Sequence, residues 1–163
     1  MPAAVFQSFE EFARTLPPMG ALAGLDLGTK TIGVAVSDPA RRVASPLETV
    51  MRKKFTPDVT RMLEIAASRK VAGLVLGLPV NMDGTEGPRA QATRAFARNL
   101  APLTELPIAF WDERMSTAAV ERMLISFDTS RKRRDEVVDK LAAAYILQGA
   151  LDRMSYLARN DAP

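Results

Sequence analysis

An α/β fold, built on a five-stranded mixed sheet with helices on both faces, is predicted by a change of pattern partway along the chain. In the first part, three apolar runs at Ala21–Leu27, Thr31–Ser37 and Val43–Val50 follow one another across short turns, the pattern of an antiparallel meander. Further on, two short apolar runs, VAGLVLGL (Val71–Leu78) and Ile108–Trp111, alternate with segments of helical period, the pattern of parallel strands with crossover helices. The sheet is therefore three antiparallel strands, then two parallel ones. A chain of 163 residues with 47% hydrophobic and 25% charged residues suits one globular domain, burying roughly 70% of the surface its unfolded form exposes.

Each element has a local reason. Val5, Phe9, Phe12 and Leu16 recur at helical spacing, Ser8 and Glu11 match a capping box, and Pro17-Pro18 ends the segment. Residues 1–20 are thus expected to form a helical extension packed on a domain of residues 21–158. Gly28-Thr29-Lys30 and Asp38-Pro39-Ala40-Arg41 supply the turns of the meander. A helix over Pro57–Arg69 carries Val59, Met62, Leu63, Ile65 and Ala66, and Pro79 bounds the strand that follows it. The glycine-rich loop GLPVNMDGTEGPRA (Gly77–Ala90) leads to a helix over Pro88–Leu100, with proline at a favourable first position. Beyond Ile108–Trp111, a helix is expected near Thr117–Leu124, then a loop holding Arg131–Arg134, then a long helix over Asp135–Leu157.

Absences narrow the chemistry. The chain has no cysteine and no histidine, which removes disulfides, thiolate metal sites, imidazole bases and Ser-His or Cys-His nucleophile pairs. Hydrolysis would have to use carboxylates and a hard metal ion. No apolar run approaches the ~18 residues of a membrane span, and Glu10 and Glu11 spoil a secretory signal. A cytoplasmic location without membrane contact is the expectation. Twenty-two Lys and Arg against nineteen Asp and Glu leave a net charge of +3, too mild to identify a polyanionic partner.

Three carboxylates stand out. Asp26 interrupts the apolar strand before the Gly28-Thr29-Lys30 turn; alone, it suits a turn residue accepting local amides as well as a functional acid. In WDERMST (Trp111–Thr117), Asp112 and Glu113 end a strand, and alternation sends them to opposite faces, so only one shares a site with Asp26. Asp139 has Ala142, Ala143, Ile146 and Ala150 at helical spacings, so it lies on a face made to approach a sheet. A carboxylate there needs a partner, either an arginine such as Arg114 or a cation. Three such acids at the carboxyl ends of adjacent strands suit Mg²⁺ or Mn²⁺, which take oxygen ligands. Such ions support phosphodiester hydrolysis without histidine. Arg89, at the start of the Pro88 helix, is placed for a phosphate contact, or else the loop is only a connection. Arg131, Lys132, Arg133 and Arg134 form the densest basic run, a guide for a polyanion or a plain solvated loop.

LDLGTKTIGVAVSD, GLPVNMDGTEGPRA, DERMSTAAVERML and VDKLAAAYILQGALD, in that order from Leu22 to about Arg153, resemble the YqgF or RuvX family. Its members are described as Holliday junction resolvases and pre-16S ribosomal RNA nucleases of ribonuclease H-like fold. The resemblance implies a metal-dependent nuclease with Asp26, Glu113 and Asp139 as its catalytic and metal-holding acids, and so selects Glu113 over Asp112. Lys30, Arg89, Arg114 and Arg131–Arg134 are the expected nucleic-acid contacts. There are departures: Thr31 follows Lys30 where the family commonly has arginine, and Gly77-Leu78-Pro79 stands where RuvC-type resolvases carry an acid. The implied activity is endonucleolytic processing of the 5′ end of pre-16S ribosomal RNA, on free structured RNA or within pre-ribosomal particles. The alternatives are cleavage of branched DNA, a non-catalytic RNA-binding role in ribosome assembly, and the phosphate loop of an actin-like ATPase.

Overall fold

The computed structural model describes residues 2–114 and 131–160, with side chains from residue 139 onward in the second stretch. In chain order the elements are β1 (Val5–Phe6), α1 (Phe9–Thr15), β2 (Ala21–Leu27), β3 (Thr31–Ser37), β4 (Ala44–Met51), α2 (Phe55–Ser68), β5 (Val71–Leu78), α3 (Pro88–Leu100), β6 (Ile108–Asp112) and α4 (Arg131–Asn160). The strands form one sheet in the order β1-β6-β5-β2-β3-β4. The pairs β2–β3 and β3–β4 are antiparallel, whereas β2–β5, β5–β6 and β1–β6 are parallel.

The sheet thus has six strands rather than the expected five. Ser8 caps α1 by accepting the Glu11 amide at 3.3 Å, so the helix begins at Phe9 and not at Val5. Val5 and Phe6, left ahead of the cap, pair in parallel with Ile108 and Ala109, where the β6 edge would otherwise show unpaired backbone groups. A second difference lies at the other end. Arg131–Arg134, expected in a loop, have helical backbone in the first turn of α4, in keeping with the good helix propensity of Arg and Lys. The helix expected near Thr117–Leu124 lies outside the described residues.

Strand alternation sorts the core into two layers. Ala21, Ala23, Leu25 and Leu27 of β2 face Val59, Met62 and Ile65 of α2 and Phe96, Ala97 and Leu100 of α3. Leu22, in the opposite phase, faces Phe12 of α1 and Ala143, Ile146, Leu147 and Ala150 of α4. This second layer is thin. A Cβ at Gly24 would lie 2.7 Å from that of Leu147, and one at Gly33 would overlap the Asp139 carbonyl. The alanine-lined face of α4 therefore rests almost directly on the backbones of β2 and β3. No described helix is long and apolar enough to cross a membrane.

Candidate active site

Asp26 has the same strand phase as Leu22 and Gly24, which directs its side chain to the α4 face. It pairs in register with Gly33, and Gly33 is the residue against which the Asp139 backbone packs. Register thus brings the middle of β3, the end of β2 and α4 to one place. The Asp139 carboxylate accepts a hydrogen bond from the Thr31 hydroxyl, which ties the helix to the start of β3.

Alternation along β6 sends the two acids of its end to different faces. Ala109 and Trp111 pack in the α4 layer, whereas Ile108 and Phe110 pack in the other. Glu113 continues the phase of Trp111. Its amide donates to the Leu78 carbonyl at 3.3 Å, which carries the β5–β6 ladder one residue past Asp112. Gly77 makes room for its side chain: a Cβ there would lie 2.5 Å from Glu113 Oε2 and would strike Ile146 Cδ1. Asp112 is exposed and engages Arg114 at 2.6 Å.

The charges behave accordingly. Burial, then the neighbouring Glu113 and Asp139 charges, push the Asp26 carboxyl up to about 7, against an opposing pull from Arg89. Burial also raises Glu113; Arg89 opposes this and Asp112 adds to it. For Asp112 burial is outweighed by its hydrogen bonds with Arg114, which hold it below the usual carboxylate range. Asp26 thus feels both other acids in a half-buried site, and the Arg89 guanidinium is the cation that both Asp26 and Glu113 feel.

The donor set is all oxygen, and its mutual repulsion is what a hard divalent cation would relieve. Among the described residues no three acidic, histidine or cysteine side chains close into a common cage. A cation here would take only part of its shell from these carboxylates, with water and substrate oxygens completing it, as is usual for Mg²⁺.

The expected cations are spread around this centre. Arg89 reaches the Leu27 carbonyl at 3.4 Å, and Lys30 is exposed on the turn after β2. Arg114, tied to Asp112, lines with Arg89, Glu113, Gly87 and Met82 a cleft of about 370 Å³. The side chains of Arg131, Lys132, Arg133 and Arg134 lie outside the described residues. Thr31 joins the site through Asp139, and its place directly after the turn that follows Asp26 is the only sequence signal for it. Arg52 donates to the Gly28 carbonyl at 2.6 Å.

A family model described as "RuvX: Holliday junction resolvase" matches residues 20–153. A Rhodopseudomonas palustris (strain BisA53) protein named "Putative pre-16S rRNA nuclease" is 65% identical over 160 residues, covering 98% of each chain. A protein of the same name from Paracoccus denitrificans (strain Pd 1222) is 64% identical over 157 residues, covering 96% of this chain and 99% of the relative. Among solved structures, T. thermophilus RuvC in complex with a Holliday junction substrate matches with a TM-score of 0.50 at 18% identity, over 83% of this chain and 96% of that one. At that identity the likeness is one of fold, the ribonuclease H-like arrangement of a mixed sheet between helices. The sequence matches go further, and by them the chain belongs to the RuvX family of nucleases.

Proposed function

We propose that this chain is a divalent-metal-dependent endonuclease that hydrolyses phosphodiester bonds in pre-16S ribosomal RNA near the mature 5′ end. In this reading Asp26, Glu113 and Asp139 are its metal-holding acids. The observation that carries the reading is the electrostatic coupling of Asp26 to Glu113 and Asp139 in a site whose only donors are oxygens. Mg²⁺ or Mn²⁺ bound there would supply an activated water and charge neutralisation at the phosphoryl oxygens.

The protein's own residues do the rest. Thr31 orients the Asp139 carboxylate from β3, so the helix acid and the strand acid keep their relative position. Gly77 leaves the space through which Glu113 extends from β6. Arg89 offsets part of the acid repulsion and faces the cleft that also holds Glu113 and Arg114, a position from which it can hold a substrate phosphate. The RNA substrate is supported by the names of relatives at 64–65% identity. Acting in the cytoplasm, on free precursor or on pre-ribosomal particles, follows from that substrate. The family description favours a second reading, branched DNA, with the same chemistry.

The test is cleavage by the purified chain, with Mg²⁺ or Mn²⁺, of ribosomal RNA precursor beside a four-way DNA junction. The precursor should be cut and the junction spared. Asp26→Asn and Asp139→Asn should abolish cutting while keeping a cooperative melting transition. Asn variants that cut as well as wild type would remove the proposed metal site, and preferential junction cutting would favour the second reading.

A further inference from the structure

The basic residues Arg52, Lys53 and Lys54 follow β4 directly, and the sheet topology brings them to the active-site end. β4 is antiparallel to β3, as β3 is to β2, so the ends of β2 and β4 lie at the same edge. Met51 pairs with Thr31, the residue that binds Asp139, and the Arg52 amide donates to the Lys30 carbonyl at 2.9 Å. The segment is therefore fastened to the turn that follows Asp26.

Its position is fixed by three further contacts. The Arg52 guanidinium donates to the Gly28 carbonyl at 2.6 Å and lies 5.8 Å from the centre of the Phe96 ring on α3. Buried Asp58, in the first turn of α2, accepts the Lys53 amide through both carboxylate oxygens at 3.2 Å. Asp58 thus fixes the backbone of the segment and not its side-chain charge. Lys30, Arg52, Lys53 and Lys54 are all exposed, and none has a carboxylate side-chain partner among the described residues. Arg52 also shares with Arg89, Gly28 and Thr29 a small cleft of about 90 Å³, on the far side of the turn from α4. Two guanidinium groups from different elements converge there on the residues next to Asp26.

Resting on the nuclease reading above, we propose that Arg52 and Arg89 form a subsite for a backbone phosphate beside the scissile position. Lys30, Lys53 and Lys54 extend it into a track for the flanking strand. Guanidinium groups suit this task because their donors are planar, permanently charged and fitted to phosphate oxygens. The pinned backbone holds the cations in place before substrate arrives, which lowers the ordering cost of binding. Arg52 and the lysines bring substrate to the acids; Asp26, Glu113 and Asp139 act on it.

The experiment measures binding of an RNA hairpin by fluorescence anisotropy over a range of KCl concentrations, in the cleavage-deficient Asp26→Asn background. Each lost phosphate contact should flatten the slope of log affinity against log salt by about 0.7 to 0.9. Arg52→Ala should weaken binding and flatten the slope by about one contact, and Lys53→Ala/Lys54→Ala by about two. Arg52→Lys, which keeps the charge, should restore most of the slope; if it behaves as Arg52→Ala does, Arg52 serves the fold of the turn and the subsite assignment fails. Wild-type affinity and slope in Arg52→Ala and in the double lysine variant would overturn the proposal while leaving the nuclease reading intact. If the Asp26→Asn parent binds no RNA at all, the subsite proposal falls, and cleavage by the wild-type chain decides the nuclease reading separately.

Discussion

Without metal, Asp26 should cost the fold stability as pH rises, and Asp26→Asn should remove that share of the pH dependence. The Asp26 carboxyl, ordinarily near 3.8, is raised to about 7 by burial and by the Glu113 and Asp139 charges. The folded state therefore keeps a proton that the unfolded chain has already released between those two values. The Asp26 contribution is nil below about pH 4, becomes steadily more unfavourable from there to about pH 7, and stays unfavourable above it. A shift of about three units, at about 1.4 kcal/mol each, makes the full effect about 4 kcal/mol. That is a large part of the 5–15 kcal/mol that typically holds a domain together. Asparagine has no proton to release. In EDTA, Asp26→Asn should exceed wild type by about 4 kcal/mol at pH 8 and by about 1 kcal/mol at pH 4.5. Urea denaturation with m held common between the two proteins reads this directly, and in a thermal scan at pH 8 the gap is roughly 8–16 °C for a chain of this size. Mg²⁺ should then stabilise wild type at pH 8, by about 2.7 kcal/mol at a hundred times its dissociation constant, and leave the asparagine variant unchanged. If the difference between the two proteins is the same at both pH values, Asp26 is not held in a repulsive, desolvated site and the argument for a metal centre loses its basis.

Two structural predictions accompany it. In Gly77→Ala the new methyl meets both Glu113 Oε2 and Ile146 Cδ1, so the double variant Gly77→Ala/Ile146→Val relieves the core clash and leaves the one with Glu113. It should unfold within about 1.5 kcal/mol of wild type yet bind Mn²⁺, followed by electron paramagnetic resonance, at least tenfold more weakly. Unchanged Mn²⁺ affinity would mean that Gly77 does not seat Glu113. Phe12 is fully buried among Phe6, Phe9 and the α4 layer, so Phe12→Ala should cost about 3–5 kcal/mol in urea denaturation. A loss under about 1 kcal/mol would show that the first twenty residues add little to the core.

The strands β2, β3 and β5 and the helix α3 have in the structure the limits that their sequence predicts. Each is an apolar run or helical pattern closed by glycine or proline, so local signals and tertiary packing agree. Where they disagree, the sequence misleads. Val5 has helical spacing to Phe9 and Phe12, but its fate is set by a vacant strand edge more than a hundred residues away in the chain. Arg131–Arg134 look like a loop because of their charge, although charge does not prevent a helical turn. Nothing local connects Arg52–Lys54 with Asp26; only the strand order does.

The choice between Asp112 and Glu113 shows where the limit lies. Alternation separates the two residues without saying which face carries the site, so from sequence only family resemblance could choose. In the fold, Asp26 and Glu113 share the face on which Gly24, Gly33 and Gly77 occur on three neighbouring strands, because α4 lies too close there for side chains. Where a helix backbone lies this near a sheet, the strand ends beyond it have little apolar bulk to cover them. Carboxylates at those ends stay half-buried and near one another, which neither a fully solvated nor a fully packed edge would allow. Asp26 shares the phase of Gly24, and Glu113 reaches across the gap at Gly77. The glycines that bring α4 close are therefore also what holds the acids within range of one another, and the interruption of an apolar strand by Asp26 is a consequence of that packing.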